Sequence, residues 1–203
     1  MDPNIASPVI SHGNVDLYLH VRVLIAIILG LSVTRLVSGI ATFIQHPDRY
    51  KIWPVHLVWV AWVLLDVLTF WWFEFRLSTV QHWTFGLYAF ICLYASMYYF
   101  LSALLFPQDL AEYQGYQDYF LSRRRWFFSF VALTELLDVV DTLIKGEEHL
   151  RALGPEYIGR IAAFVLLCAV GASTRNPRVH ALLAVGGIIY EMSFVARYFF
   201  TMD

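Results

Sequence analysis

Six stretches of this chain are apolar and long enough to cross a lipid bilayer, which leaves few folds open. They run roughly over 17–45, 53–73, 84–106, 126–144, 157–174 and 179–200. A helical crossing of the hydrocarbon core takes about 20 residues. Lipid offers the backbone no hydrogen-bond partner, so each stretch is expected to be helical. The expected class is therefore all-α: a polytopic membrane protein, a bundle of about six transmembrane helices forming a single integral membrane domain over 1–203. A chain that is 59% hydrophobic and 15% charged fits that class and leaves no length for a second, soluble domain.

The punctuation between the stretches agrees. Pro47 and Pro54 bracket the first turn, Pro107 follows the third stretch, Pro155 precedes the fifth and Pro177 divides the last two. The segment from Gln108 to Ser122 reads as the only sizeable polar connection. Trp53, Trp83, Trp126, Tyr50 and Tyr157 fall near stretch ends, where interfacial aromatics belong. The N-terminal residues lack a basic leader and a small-residue cleavage site, so the first stretch is expected to remain as an anchor.

Orientation follows from the basic residues. The first, third and fifth turns hold Arg49, Lys51, Arg123, Arg124, Arg125, Arg175 and Arg178, against Arg76, Lys145, Arg151 and Arg160 on the other side. The bias places Arg123 to Arg125 in the cytoplasm and both termini outside. A net charge of -2 gives no basic surface for nucleic acid. Cys92 and Cys168 sit inside apolar runs and read as packing residues.

Internal echoes suggest three pseudo-repeated helix pairs. The segment from Pro54 resembles that from Arg178, "LLDV" at Leu64 recurs at Leu136, and ILGLSVTR from Ile28 resembles LLCAVGASTR from Leu166. Each pair would carry an acid on its second helix, and repeat-built membrane folds place their sites at the repeat interface.

Charges inside the stretches point to the site. At about 1.5 Å of rise per residue, counting from the predicted turns puts Arg35, Asp66, Glu135, Asp138 and Glu191 in one slab near mid-membrane. An ionised group there costs about 2.5 to 3.5 kcal/mol on insertion scales, so it must be paired, protonated or in contact with water. One arginine cannot compensate four acids, so either protons or a bound cation must supply the rest. Glu135 and Asp138, three residues apart, share a helix face flanked by Thr134 and Thr142. Asp141 reads as an interfacial residue beside Lys145, Arg22 and Glu74 as outer-boundary residues that form a structural salt bridge or snorkel, and Arg35 as the residue that holds Asp66.

The resulting expectation is transport or conduction of protons, cations or a small cationic solute. Asp66, Glu135, Asp138 and Glu191 would bind or relay the charge, and Trp59, Trp62 and Tyr98 would add cation-π contacts to an organic cation. Two other readings stand beside it. One is an accessory or assembly subunit of a larger membrane complex, or a homo-oligomer, using the aromatic surfaces and Tyr113, Tyr116 and Tyr119. The other uses histidines: haem b clamped between helices, or a transition metal held by His46, His56 and His180. No GxSxG, HExxH or P-loop motif is present, which argues against an enzyme of those classes and leaves acid-base chemistry by buried acids as the alternative.

Overall fold

The structure, a computed structural model, describes residues 12–49, 51–80 and 82–199. Tyr50, the N-terminal residues read for a leader, and the last residue of the sixth stretch lie outside the described residues. The described residues form six α-helices and no strand: α1 (His12–Gln45), α2 (Pro54–Phe73), α3 (Phe85–Leu105), α4 (Tyr116–Ile144), α5 (Glu147–Ser173) and α6 (Pro177–Phe199). A single 3-10 segment, Glu74–Thr79, extends α2. Five of the helices, all but α4, are long and apolar enough to cross a membrane. α4 has the length but carries Arg123 to Arg125, Glu135, Asp138 and Asp141.

Local signals set the ends. Pro54 opens α2 at a position whose N–H needs no partner, and the Thr84 hydroxyl caps α3 by accepting from the Leu87 N–H at 3.2 Å. Gly115 and Gly146, at φ of 139° and 101°, make the turns before α4 and α5 in backbone regions that other residues avoid. Two helices are longer than their apolar cores. α4 begins at Tyr116, so half of the expected Gln108 to Ser122 connection is helix. α5 begins at Glu147 and kinks at Gly154, ahead of Pro155.

α2 lies innermost, touching α1, α3, α4 and α6, while α4 pairs with α5 and α1 with α3. Side-chain contacts give the directions. Thr69 meets Glu191 and Phe73 meets Phe194, so α2 and α6 run parallel. Trp59 meets Phe127 while Glu74 meets Lys145, so α4 runs parallel to both. The three acid-bearing helices therefore point the same way.

Packing is aromatic toward one end. Trp59, Trp62, Phe120, Phe127 and Phe128 form a buried stack, with Trp59 at 5.2 Å from Phe127 and 5.5 Å from Phe128 between ring centroids. Gly171 lets α5 approach α4 here, since a Cβ at that position would overlap the Phe128 ring. Gly39 does the same for α1 against Phe106.

Candidate functional site: an acidic cavity open toward one end

The deepest acids of α2, α4 and α6 line one cavity. Asp66 contributes from α2, Glu135 and Asp138 from α4 and Glu191 from α6, so four of the five residues expected at the site come together. Glu74 and Asp141 complete the set of six carboxylates, and Arg160 and Lys145 are its only cations among the described residues. With all groups ionised, six negative charges face two positive ones.

The cavity is a column along the bundle axis. Glu135, Asp138, Asp141 and Lys145 follow one another on α4 over ten residues, about 15 Å of rise. At its deep end Glu191 faces Thr69, whose hydroxyl lies 3.4 Å from the Glu191 carboxylate and donates at 3.0 Å to the backbone carbonyl of Asp66. Among the described residues, neither Asp66 nor Glu191 has a cation within ion-pair distance.

One level outward, Arg160 of α5 donates to Asp138 at 2.8 Å and lies 3.3 Å from Glu135. The Tyr157 hydroxyl, one turn before it, sits 3.0 Å from both Asp138 and Thr142. Farther out, Lys145 joins Glu74 at 2.8 Å and Asp141. At the mouth, Arg76 of the 3-10 segment donates to His149 Nδ1 at 3.0 Å, which fixes that nitrogen as an acceptor. Glu74 Oε2 and Asp141 Oδ1 are buried without a hydrogen-bond partner among the described residues.

Water-accessible room in the column amounts to about 70 Å³. A single water needs at least about 10 to 15 Å³ on this measure, so the space suits a short file of waters and is too small for an organic solute. Trp59 and Trp62 lie outside the column, in the aromatic stack, and only Tyr98 of the three expected cation-π residues lines it.

Several expectations change. Arg35 does not hold Asp66: its guanidinium donates to the Phe106 carbonyl at 2.6 Å and borders a separate groove between α1 and α3. The depth count failed because α1 runs on to Gln45, beyond the level at which α2 starts at Pro54, so the two helices do not share the turn as a common origin. Tyr18 meets Phe75 and Arg22 lies over Trp71, a constant register that sets Arg35 level with Val58, about 12 Å from the level of Asp66.

Arg22 stacks on Trp71 and Phe75 rather than pairing with Glu74. Asp141 is buried within the Lys145 triad, and Tyr157 is a buried site residue. Arg160, which the sequence reading counted as a loop or helix-end charge, is the cation at the centre of the site. Its signal was available: at i+3 from Tyr157, it is the lone charge of the apolar stretch 157–174 and in need of a partner.

The three expected metal histidines do not form a centre. His46 is exposed at the end of α1. His56 is enclosed by Phe43, Phe106, Tyr116 and Phe120, and His180 stacks on Phe128 with Nε2 at 3.0 Å from the Thr174 carbonyl. Among the described residues no group of three or more His, Cys, Asp or Glu is arranged to hold a metal ion.

No family model, curated protein or solved structure matches the chain.

Proposed function

We propose that the protein takes up protons in the acidic column and carries them across a membrane, with Asp66 and Glu191 as the carrying pair. The observation that carries this reading is the charge count: six carboxylates share one buried cavity with two cationic side chains. Arg160 is engaged by Glu135 and Asp138, and Lys145 by Glu74 and Asp141, so among the described residues no ion-pair partner is left for Asp66 and Glu191, which leaves protons or a mobile cation to neutralise them. The acids are not grouped as a coordination shell, and the room is that of a few waters, which favours protons over a bound metal cation.

In this reading all six helices span the bilayer, α4 passing its acids through the middle where they face the column. Lys145 and Arg160 are buried ion-pair members, so the outer turns keep only Arg76 and Arg151 of the four basic residues counted there. That strengthens the assignment of Arg123 to Arg125 to the cytoplasm and both termini to the outside. The column then opens outward past His149, and the Trp59, Phe127 and Phe128 stack closes it from the cytoplasm. Transport requires that stack to part in a second conformation.

The test is proton flux in liposomes carrying a trapped pH-sensitive dye, for wild type, Asp66→Asn and Glu191→Gln. Wild type dissipates an imposed pH gradient, and each variant is at least about tenfold slower, the scale of losing one obligatory proton carrier. Silence of wild type under both a pH gradient and a membrane potential would sink the transport reading. Normal flux in both variants would sink the site assignment, and flux that follows sodium or potassium instead would sink the choice of proton.

A further inference from the structure

A second cavity lies between α5 and α6, which touch only sparingly along their length. It encloses about 500 Å³, within the size range of small-molecule sites, and its walls are nearly all apolar. Trp62 and Phe164 stand almost parallel in it, 21° apart with centroids 6.4 Å from one another. Gly186 leaves open space where a side chain would stand. The rim residues Leu167 and Leu182 are exposed and apolar, so in a bilayer the opening faces hydrocarbon.

Among the described residues the only charged side chain bordering this crevice is Arg160, which also borders the acidic column. Its Nε and the indole Nε1 of Trp59 and Trp62 are buried with no hydrogen-bond partner among the described residues. An apolar crevice bordered by three unspent donors calls for an apolar ligand that carries hydrogen-bond acceptors. The ligand's charge follows from the neighbours. A second anion would add to the carboxylates of Glu135 and Asp138 that already hold the guanidinium, and a cation entering from lipid would meet the guanidinium first.

We propose that this crevice binds a neutral, lipid-soluble ring compound bearing a carbonyl, of the quinone class, which enters sideways from the bilayer between α5 and α6. The ring lies against Trp62 and Phe164, the carbonyl accepts from Arg160, and the tail leaves past Leu182. The site rests on the crevice and Arg160 alone, so it stands or falls apart from proton transport.

The test is quenching of tryptophan fluorescence in protein held in lipid nanodiscs. The probes are a decyl-substituted benzoquinone, decylbenzene with the same tail and no carbonyl, and decanoate. Saturable quenching by the quinone is expected in wild type, with roughly tenfold weaker binding in Gly186→Leu, which fills the crevice, and in Arg160→Lys. Because quenching alone reports proximity, a second measurement uses Cys168, buried in the crevice wall, in a Cys92→Ser background. The quinone is expected to slow Cys168 labelling by a lipid-soluble maleimide roughly tenfold at concentrations where decylbenzene and decanoate do not. Equal protection by decylbenzene would show a crevice for acyl chains only, stronger protection by decanoate an anion site, and no protection by any probe no site at all. Each of these results overturns the proposal.

Discussion

Arg160 on α5 donates to Asp138 on α4 at 2.8 Å, and the same guanidinium lies 3.3 Å from Glu135 one turn away, so a single cation bridges two acids of one helix face. Removing one member of a buried pair leaves the other charged and alone, at a cost of about 3 to 5 kcal/mol. Arg160→Gln is therefore expected to lower the stability of the detergent-solubilised protein by about 3 kcal/mol, measured by reversible SDS unfolding. Adding Asp138→Asn to Arg160→Gln should recover part of the loss, with a coupling of about 1 kcal/mol or more in a double-mutant cycle.

Lys145 offers the matching case at the outer end, where it joins Glu74 and Asp141. Lys145→Met strands two buried carboxylates and should destabilise by about 3 kcal/mol in the same assay. Arg151 and Glu147 form an ion pair with side chains 78% and 82% exposed, so Arg151→Ala should leave the unfolding midpoint unchanged. Equal effects of the two substitutions would mean that the Lys145 triad is solvated.

Gly171 sets how closely α5 can approach α4. A Cβ there overlaps the Phe128 ring, so Gly171→Ala forces the ring or the helix aside, at about 1 to 3 kcal/mol. Pairing it with Phe128→Leu should relieve most of the cost, read again as an unfolding midpoint.

His56 is fully buried among four aromatic rings, and both of its ring nitrogens lack hydrogen-bond partners among the described residues. A buried polar group left unsatisfied costs about 1 to 3 kcal/mol, and an apolar group of similar shape avoids that cost. His56→Leu should therefore raise the thermal midpoint despite its smaller size. A lowered midpoint would mean that the imidazole has a partner in the membrane-embedded protein.

The sequence made the helix count legible because a spanning helix must be apolar over a fixed length, and the six apolar runs match the cores of the six helices. Helix ends were less legible. α4 and α5 continue through polar residues such as Gln117 and Glu148, where no lipid limits the composition. The acids of the site were found by depth because α2, α4 and α6 start near the same end of the bundle, so counting residues preserved their relative heights. The same count misplaced Arg35, since the register of α1 against α2 is a tertiary property that a count from the turn does not contain. It also could not see that Arg160 and Tyr157 turn inward, because rotation of a helix about its axis is set by packing.

The central claim is that protons neutralise the acids left over after Arg160 and Lys145 are paired, and the carbonyl stretch of neutral carboxylic acids reports this directly. Infrared difference spectra of wild type against Asp66→Asn and Glu191→Gln, at neutral pH in H₂O and D₂O, should show carboxylic acid bands that shift on deuteration and disappear in the matching variant. Wild-type spectra with only ionised carboxylates at neutral pH, unchanged in that region by either substitution, would contradict it.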